Sequence, residues 1–273
     1  MKRIITLVLC IAMLCSACFA LTSCGKKDYD DLAIVEMDFP AERFGIAFRT
    51  GSDMTRKVED ITLQLIKDGT FADLAKKYEI SVVGEETYTP SADPCASSDD
   101  WAKIQAKGKL VVGITDYPPM DYKDENGKWI GFDAEYAEAV CAKLGITAEF
   151  KEIDWDNKLI SLAAGEIDCI WNGMTISDAI EAAADCTAAY MDNSQVVVVL
   201  KENASKYKNI DSLAGASIAV EGGSAGETVV KDNAKLKDGV KPVTAQTDAL
   251  LEVLSGASDV AVVDLTLAKS LIK

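Results

Sequence analysis

The chain of 273 residues contains no histidine. The absence matters first in the stretch IAVEGGSAGET, residues 218–228, where Gly222-x-Ser224-x-Gly226 lies between an apolar run and a helix-like run. That spacing matches a nucleophile elbow, but a Ser-His-acid triad needs an imidazole to carry the proton. A Ser-His-acid triad is excluded, and a lysine-based variant is the form of hydrolase left open. The same glycines have another use, since after a strand they let the backbone turn tightly and aim the N–H groups of the next helix at an anion. Basic residues are scarce as well: 28 Lys and Arg against 44 Asp and Glu give a formal charge of −16. Nucleic-acid phosphates would be repelled, so no nucleic-acid partner is expected. No arginine follows Arg56.

What is present describes an exported globular chain. With 49% hydrophobic and 26% charged residues it is too apolar to be disordered. Met1-Lys2-Arg3, an apolar stretch from Ile4 to Leu21 and the end Leu21-Thr22-Ser23-Cys24 form an export signal over residues 1–24. That end resembles a bacterial lipobox, which makes Cys24 the expected lipidation site and membrane anchor. The alternative is an uncleaved transmembrane anchor, because the run is nearly long enough to span. Either way the bulk of the chain is expected outside the cytoplasm. Cys10, Cys15 and Cys18 leave with the signal, so Cys95, Cys141, Cys169 and Cys186 remain beside Cys24. An even count in an exported chain permits disulfides. Cys141 and Cys169 fall on apolar faces, where a small buried thiol is the commoner explanation. None of the four makes a CxxC pair, and neither a metal nor a cofactor is expected.

Strand and helix patterns alternate after Cys24. Leu32 to Val35 and Phe44 to Phe48 predict short strands; Val58, Ile61, Leu65 and Ile66 recur at helical spacing over Thr55 to Lys67, with Gly69 as the stop. Another helix starts at Thr70. Residues 85–100, EETYTPSADPCASSDD, have two prolines and no apolar period, and predict a linker. Beyond it, strands are expected at 109–114, 147–153, 167–171, 195–200, 217–220, 242–245 and 259–263. Helices are expected at 133–144, 157–164, 225–232 and 248–254, with a last one reaching Ile272. Repeated βα units imply parallel sheets with helices on their faces. Ligands in such sheets sit where strand carboxyl ends meet helix N-termini.

Particular motifs then carry a resemblance. Lys109 to Ile114 followed by Asp116-Tyr-Pro-Pro-Met-Asp-Tyr122, Gly131-Phe-Asp133, Gly165-Glu-Ile-Asp168, Trp171-Asn-Gly-Met-Thr-Ile-Ser177 and Ser258-Asp-Val-Ala-Val-Val-Asp264 resemble the extracellular solute-binding proteins of polar amino-acid ABC importers. The resemblance covers nearly all of residues 29–273, in a rotated order. The segment from Phe44 through Tyr78 resembles the family's C-terminal end but here comes first. It implies a circularly permuted α/β fold of the type II periplasmic-binding kind, with two lobes around a ligand cleft. Lobe 1 would be 101–190 with 44–84, and lobe 2 would be 191–273 with 29–43. Residues 85–100 would join the old termini, and crossovers near 190–196 and 40–44 would form the hinge. A gene fragment that folds by exchanging segments with a neighbour is the alternative.

The resemblance also implies roles for particular residues. Asp264 matches the carboxylate that pairs with a ligand α-ammonium, with N-capping of the last helix as its other use. Tyr117 and Trp155 match side chains that sandwich the ligand, for which core packing is the rival role. Gly173 and Thr175 match a strand-end loop that hydrogen-bonds the ligand carboxylate, and Ser224 matches a helix N-terminus meeting the same group. The chain departs from the family at Ile180, where an arginine usually forks onto that carboxylate. An aliphatic side chain does not replace a guanidinium. The expected ligand is therefore a polar amino acid or similar small zwitterion bound without that fork, or a ligand lacking the carboxylate. The expected partner is a membrane permease. A decayed surface receptor and a dehydratase-like enzyme are the other functions the same fold implies.

Overall fold

A computed structural model of the chain describes residues 27–90 and 98–273. The expected signal over 1–24, Cys24, and the linker residues 91–97 with Cys95 lie outside the described residues. Strands β1 (Leu32–Val35) and β2 (Ala41–Arg49) come first, followed by β3 (Lys109–Ile114) and the hairpin of β4 (Tyr122–Lys123) and β5 (Trp129–Ile130). Next are β6 (Thr147–Glu152), β7 (Cys169–Thr175), β8 (Ala184–Cys186), β9 (Met191–Leu200), β10 (Ile218–Glu221), β11 (Val240–Val243) and β12 (Val260–Asp264). The main sheet path runs β11-β10-β12-β9-β2-β7-β3-β6, with β1 added to β9 and β8 to β2.

The expectation of parallel sheets holds only in part. β3 is parallel to β6 and β7, and β10 to β11 and β12, but β2 and β9 run antiparallel to the strands they pair with. The parallel pairs are built from βα crossovers. β2 and β9 instead pass between the two halves of the sheet. In β9, Met191–Ser194 pair with β2, whereas Gln195–Val198 pair with β12. β2 turns from β9 towards β7 and β8 along its length.

The early segment is packed into its own chain. Phe44, Ile46, Ala47 and Phe48 of β2 are at most 1% exposed. Helix Met54–Lys67 buries Val58, Ile61 and Leu65 on one face, the 3.6-residue stripe its spacing predicts. Phe71, from helix Thr70–Lys77, meets Tyr136 edge to face at 4.9 Å, and Tyr136 meets Trp171 at 4.7 Å. Such pairs add to the area they bury. Helix Phe132–Leu144, which supplies Tyr136, ends at Gly145 with φ 72°, a left-handed cap that glycine adopts without a Cβ clash.

Two boundaries differ from expectation. The predicted linker 85–100 does not stay clear of the core: Tyr88 is 4% exposed, and helix Asp100–Lys107 starts where the linker was to end. That helix is short and buries only Asp100 and Ile104, so it leaves little apolar periodicity. β7 extends to Thr175 rather than stopping at Trp171, because pairing with β2 resumes at Met174 after a register shift. Cys141, Cys169 and Cys186 are free thiols, the first two buried. Burial pushes Cys141 up to about 12, which keeps it a thiol. Among the described residues no helix is long and apolar enough to cross a membrane.

Arg49 ties the early segment to the later chain. Its Nε donates to Asp100 at 3.2 Å, Nη1 donates to the Ile167 carbonyl at 2.9 Å, and Nη2 lies 3.5 Å from Asp168. Asp100 and Asp168 are 5% and 3% exposed. Removing one partner of a buried pair leaves an uncompensated charge. Arg49→Ala is therefore expected to lower unfolding stability by about 2–4 kcal/mol, read as a drop in the urea midpoint. An unchanged midpoint would show that the segment does not occupy this place in solution.

Candidate functional site

A cleft of about 640 Å³ opens between the two halves of the sheet. All six predicted ligand residues line it: Asp264, Thr175, Gly173, Tyr117, Trp155 and Ser224. They arrive from strand ends and from the turns that follow, the edge where α/β sheets place their sites. A larger hollow of about 1130 Å³ lies elsewhere, among Tyr29, the 116–123 turn and the last helix, and contains none of the six. The smaller cleft is the candidate because buried polar side chains converge on it.

Asp264 ends β12 and is 5% exposed. Its side chain makes no capping bond to helix Leu265–Leu271, so capping is not what the carboxylate does. Oδ1 instead accepts from Asn193 Nδ2 at 2.5 Å and Gln195 Nε2 at 2.7 Å, and Oδ2 accepts from the Gln246 amide. Gln246 Oε1 also accepts the Asp264 backbone N–H at 2.8 Å, clamping the residue from both sides. The Tyr117 hydroxyl lies beside the same carboxylate. Tyr117 stands edge to face with Phe44 at 6.5 Å.

Glu42 was not among the residues singled out from the sequence. It sits at the start of β2, lines the cleft and is 7% exposed. Its Oε2 accepts from the same Asn193 and Gln195 amides, each at 3.1 Å, and from Thr175 Oγ1 at 3.3 Å. Burial first, then the charge of Asp264, push Glu42 up to about 7 against the pull of those three donors. Glu221 at the end of β10 was missed too. It is 3% exposed, and burial followed by Asp264 holds it well above the carboxylate range. Lys158 lines the cleft and donates to the Trp155 carbonyl at 3.1 Å and the Gly223 carbonyl at 2.7 Å.

Several of the donors expected to hold a carboxylate, the Gly173 and Ser224 N–H groups and the Thr175 hydroxyl, are committed within the protein. Gly173 N–H donates to Asp133 at 2.6 Å rather than into the cleft. With φ 56° and a notional Cβ 2.5 Å from the Tyr117 ring, Gly173 is where backbone and aromatic ring meet too closely for a side chain. Ser224 Oγ accepts from Glu227 N–H at 3.1 Å as a helix cap, and Ser224 N–H donates to the Glu221 carbonyl. Gly223 N–H donates to the Glu227 carboxylate at 3.0 Å. The predicted anion seat thus holds an acid of its own helix. Trp155 is 6% exposed, packs with Leu162, Met174 and Ile180, and carries Lys158 Nζ at 4.8 Å over its ring. The two halves touch at Gly223, whose notional Cβ would lie 2.6 Å from Asp156 Cα.

This architecture, strand ends of two sheet halves facing each other across a cleft with a clamped acid at its floor, defines a solute-binding fold. Residues 110–267 match the bacterial extracellular solute-binding proteins, family 3, and the chain belongs to that family. It is 30% identical over 172 residues to the L-cystine-binding protein TcyJ of Escherichia coli (strain K12), covering 63% of this chain and 64% of that protein. The chain thus spans just under two thirds of that relative. The arginine-bound, truncated ArgBP of T. maritima superposes with a TM-score of 0.59 at 32% identity, over 62% of this chain and 79% of that one. An ancestral amino acid-binding protein, AncCDT-1, described as a precursor of cyclohexadienyl dehydratase, gives 0.57 at 32% identity, over 61% and 74%.

The acid pair gives a pH signature. Glu42 is raised from 4.5 to about 7, so the folded state binds more protons than the unfolded one in that window. Its contribution to stability is complete below the unfolded value and lost as pH rises through about 7. With no ligand added, Glu42→Gln should gain over the parent between pH 4.5 and 8 by on the order of 2 kcal/mol, a few degrees in melting temperature. A difference that stays constant with pH, or reverses, would refute the acid pair.

Proposed function

We propose that the protein is the solute-capturing receptor of an ABC importer. Its cleft takes a small polar solute through an ammonium group on Asp264. The observation that carries this reading is the cleft itself, lined from both halves and floored by a carboxylate that three side-chain amides orient. A charge-assisted bond in a buried cleft is strong, and clamping the acid in advance reduces the ordering that binding requires. Binding closes the two lobes by rigid-body motion about the strands that cross between them, β9 at Met191–Ser194 and β2 at Ala41–Phe44. The closed outline is then presented to a membrane permease. Relatives named for cystine and arginine binding support a polar amino acid or a related small ammonium-bearing solute.

Two further parts of the reading concern the chain itself. Lipid on Cys24 holds the receptor at the outer face of the cell membrane. The segment 29–84 is the family's closing piece moved to the front; its strand β2 lies between β9 and β7 of its own chain, ahead of the matched region. We read the protein as a binding protein, not an enzyme. The dehydratase-like alternative draws on Glu42, a cleft acid raised to about 7, and requires turnover of a bound ligand.

A thermal-shift screen of the mature protein against the twenty amino acids, simple amines and small carboxylates tests the receptor reading. Ligands that bind only the native state raise its melting temperature. One or a few ammonium-bearing solutes should do so unchanged in chemistry, and Asp264→Ala should lose the shift, a fall in affinity of about 100-fold or more. A cooperative transition that no solute moves, or a shift that survives Asp264→Ala, would overturn it. For the anchor, Cys24→Ala should release the protein from the membrane fraction; retention there would count against lipid on Cys24.

A further inference from the structure

The cleft is rich in carboxylates, and several of its donors are already spent. Among the described residues Glu42, Asp178, Glu221, Asp232 and Asp264 line it against a single cation, Lys158. Lys158 directs its ammonium at two backbone carbonyls and the Trp155 ring. The N–H groups of Gly173, Gly223 and Ser224 are given to protein oxygens, and the Thr175 hydroxyl to Glu42. At the place of the family's arginine, Ile180 is 7% exposed and packs against the Trp155 cluster. A ligand carboxylate entering here would meet acids and few unsatisfied donors.

An orphaned atom points the same way. Glu221 Oε1 is buried at the wall of the cleft with no hydrogen-bond partner. A buried carboxylate oxygen without a donor is costly, and a ligand cation would supply the missing partner. Among the described residues no three acid side chains converge closely enough to hold one metal ion. The cation that fits is organic, with its charges spaced along a chain.

We propose that the ligand is a small diamine or polyamine without a carboxylate, one ammonium held between Glu42 and Asp264 and a second on Glu221. This rests on the receptor reading above and names its solute. The Asn193 and Gln195 amides hold the first pair of acids in place, and Tyr117 and Trp155 cover the methylenes between the charges. Cations at both stations also favour the ionised forms of Glu42 and Glu221, which burial first and then the charge of Asp264 disfavour.

Calorimetric titration with pairs differing only by the carboxylate tests it: agmatine against arginine, putrescine against ornithine, cadaverine against lysine. Each amine should bind the mature protein about tenfold or more tightly than its carboxylate twin. Glu221→Gln, which keeps the size and shape of the side chain and should fold, should weaken cadaverine about tenfold while changing butylamine less than about threefold. Carboxylate twins binding as tightly as the amines would overturn the proposal and leave the receptor reading standing. Equal effects of Glu221→Gln on cadaverine and butylamine would overturn the second station. No binding by any pair or by the wider amino-acid panel would overturn both.

Discussion

Two side-chain amides hold the centre of this molecule together. Asn193 and Gln195 of β9 each donate to Glu42 on β2 and to Asp264 on β12. Those three strands are neighbours exactly where the sheet passes from one half to the other. The groups that would meet a ligand are thus the groups that stitch the joint. In the proposed receptor, a cation arriving between Glu42 and Asp264 changes the charge balance at the strands that cross between the halves. The proposed recognition and closure would share one set of atoms, which is a physical route for coupling them.

The wall behind the cleft follows a related logic. Asp121 and Asp133 are both fully buried, and burial raises both, Asp133 to about 7 and Asp121 well above the carboxylate range. Neither oxygen of Asp121 has a hydrogen-bond partner, whereas Asp133 accepts from Gly173 N–H and from the Tyr190 hydroxyl at 2.8 Å. Burial first, then the charge of Asp133, favours the neutral form of Asp121, and Asp133 is the acceptor for both donors. Gly173 is held against Tyr117 by this acid, so the donor that could have faced a ligand faces inward. The shortage of donors in the cleft is built from behind.

Much of the frame was legible in the residues. Helix Ala225–Asp232 has the expected bounds because the Ser224 side chain caps it. β3 likewise matches its apolar run. The β7 extension was not legible, since its last residues are held by a partner strand far away in sequence. Helix Asp100–Lys107 was hidden by a polar composition and by a buried Asp100 whose partner, Arg49, lies on β2. Glu42 did leave a signal: it shares the two-residue period of Phe44, Ile46 and Phe48, all buried. Asn193 and Gln195 are likewise in phase with Met191, Val197 and Val199. A polar residue on the inward beat of an apolar strand marks a buried polar site. What the pattern cannot contain is which strands bring such residues together.

The contact between Gly223 and Asp156 has an evolutionary reading. One side of it is a missing side chain and the other is the backbone and carboxylate of Asp156, which does not line the cleft, so its shape depends on almost none of the side chains that do. Substitutions at neighbouring positions such as Thr228 or Val229, which face the cleft from the same helix, can retune what is recognised while the closed outline stays the same. In the proposed receptor, the recognised solute can thus change without a change in the surface offered to a permease.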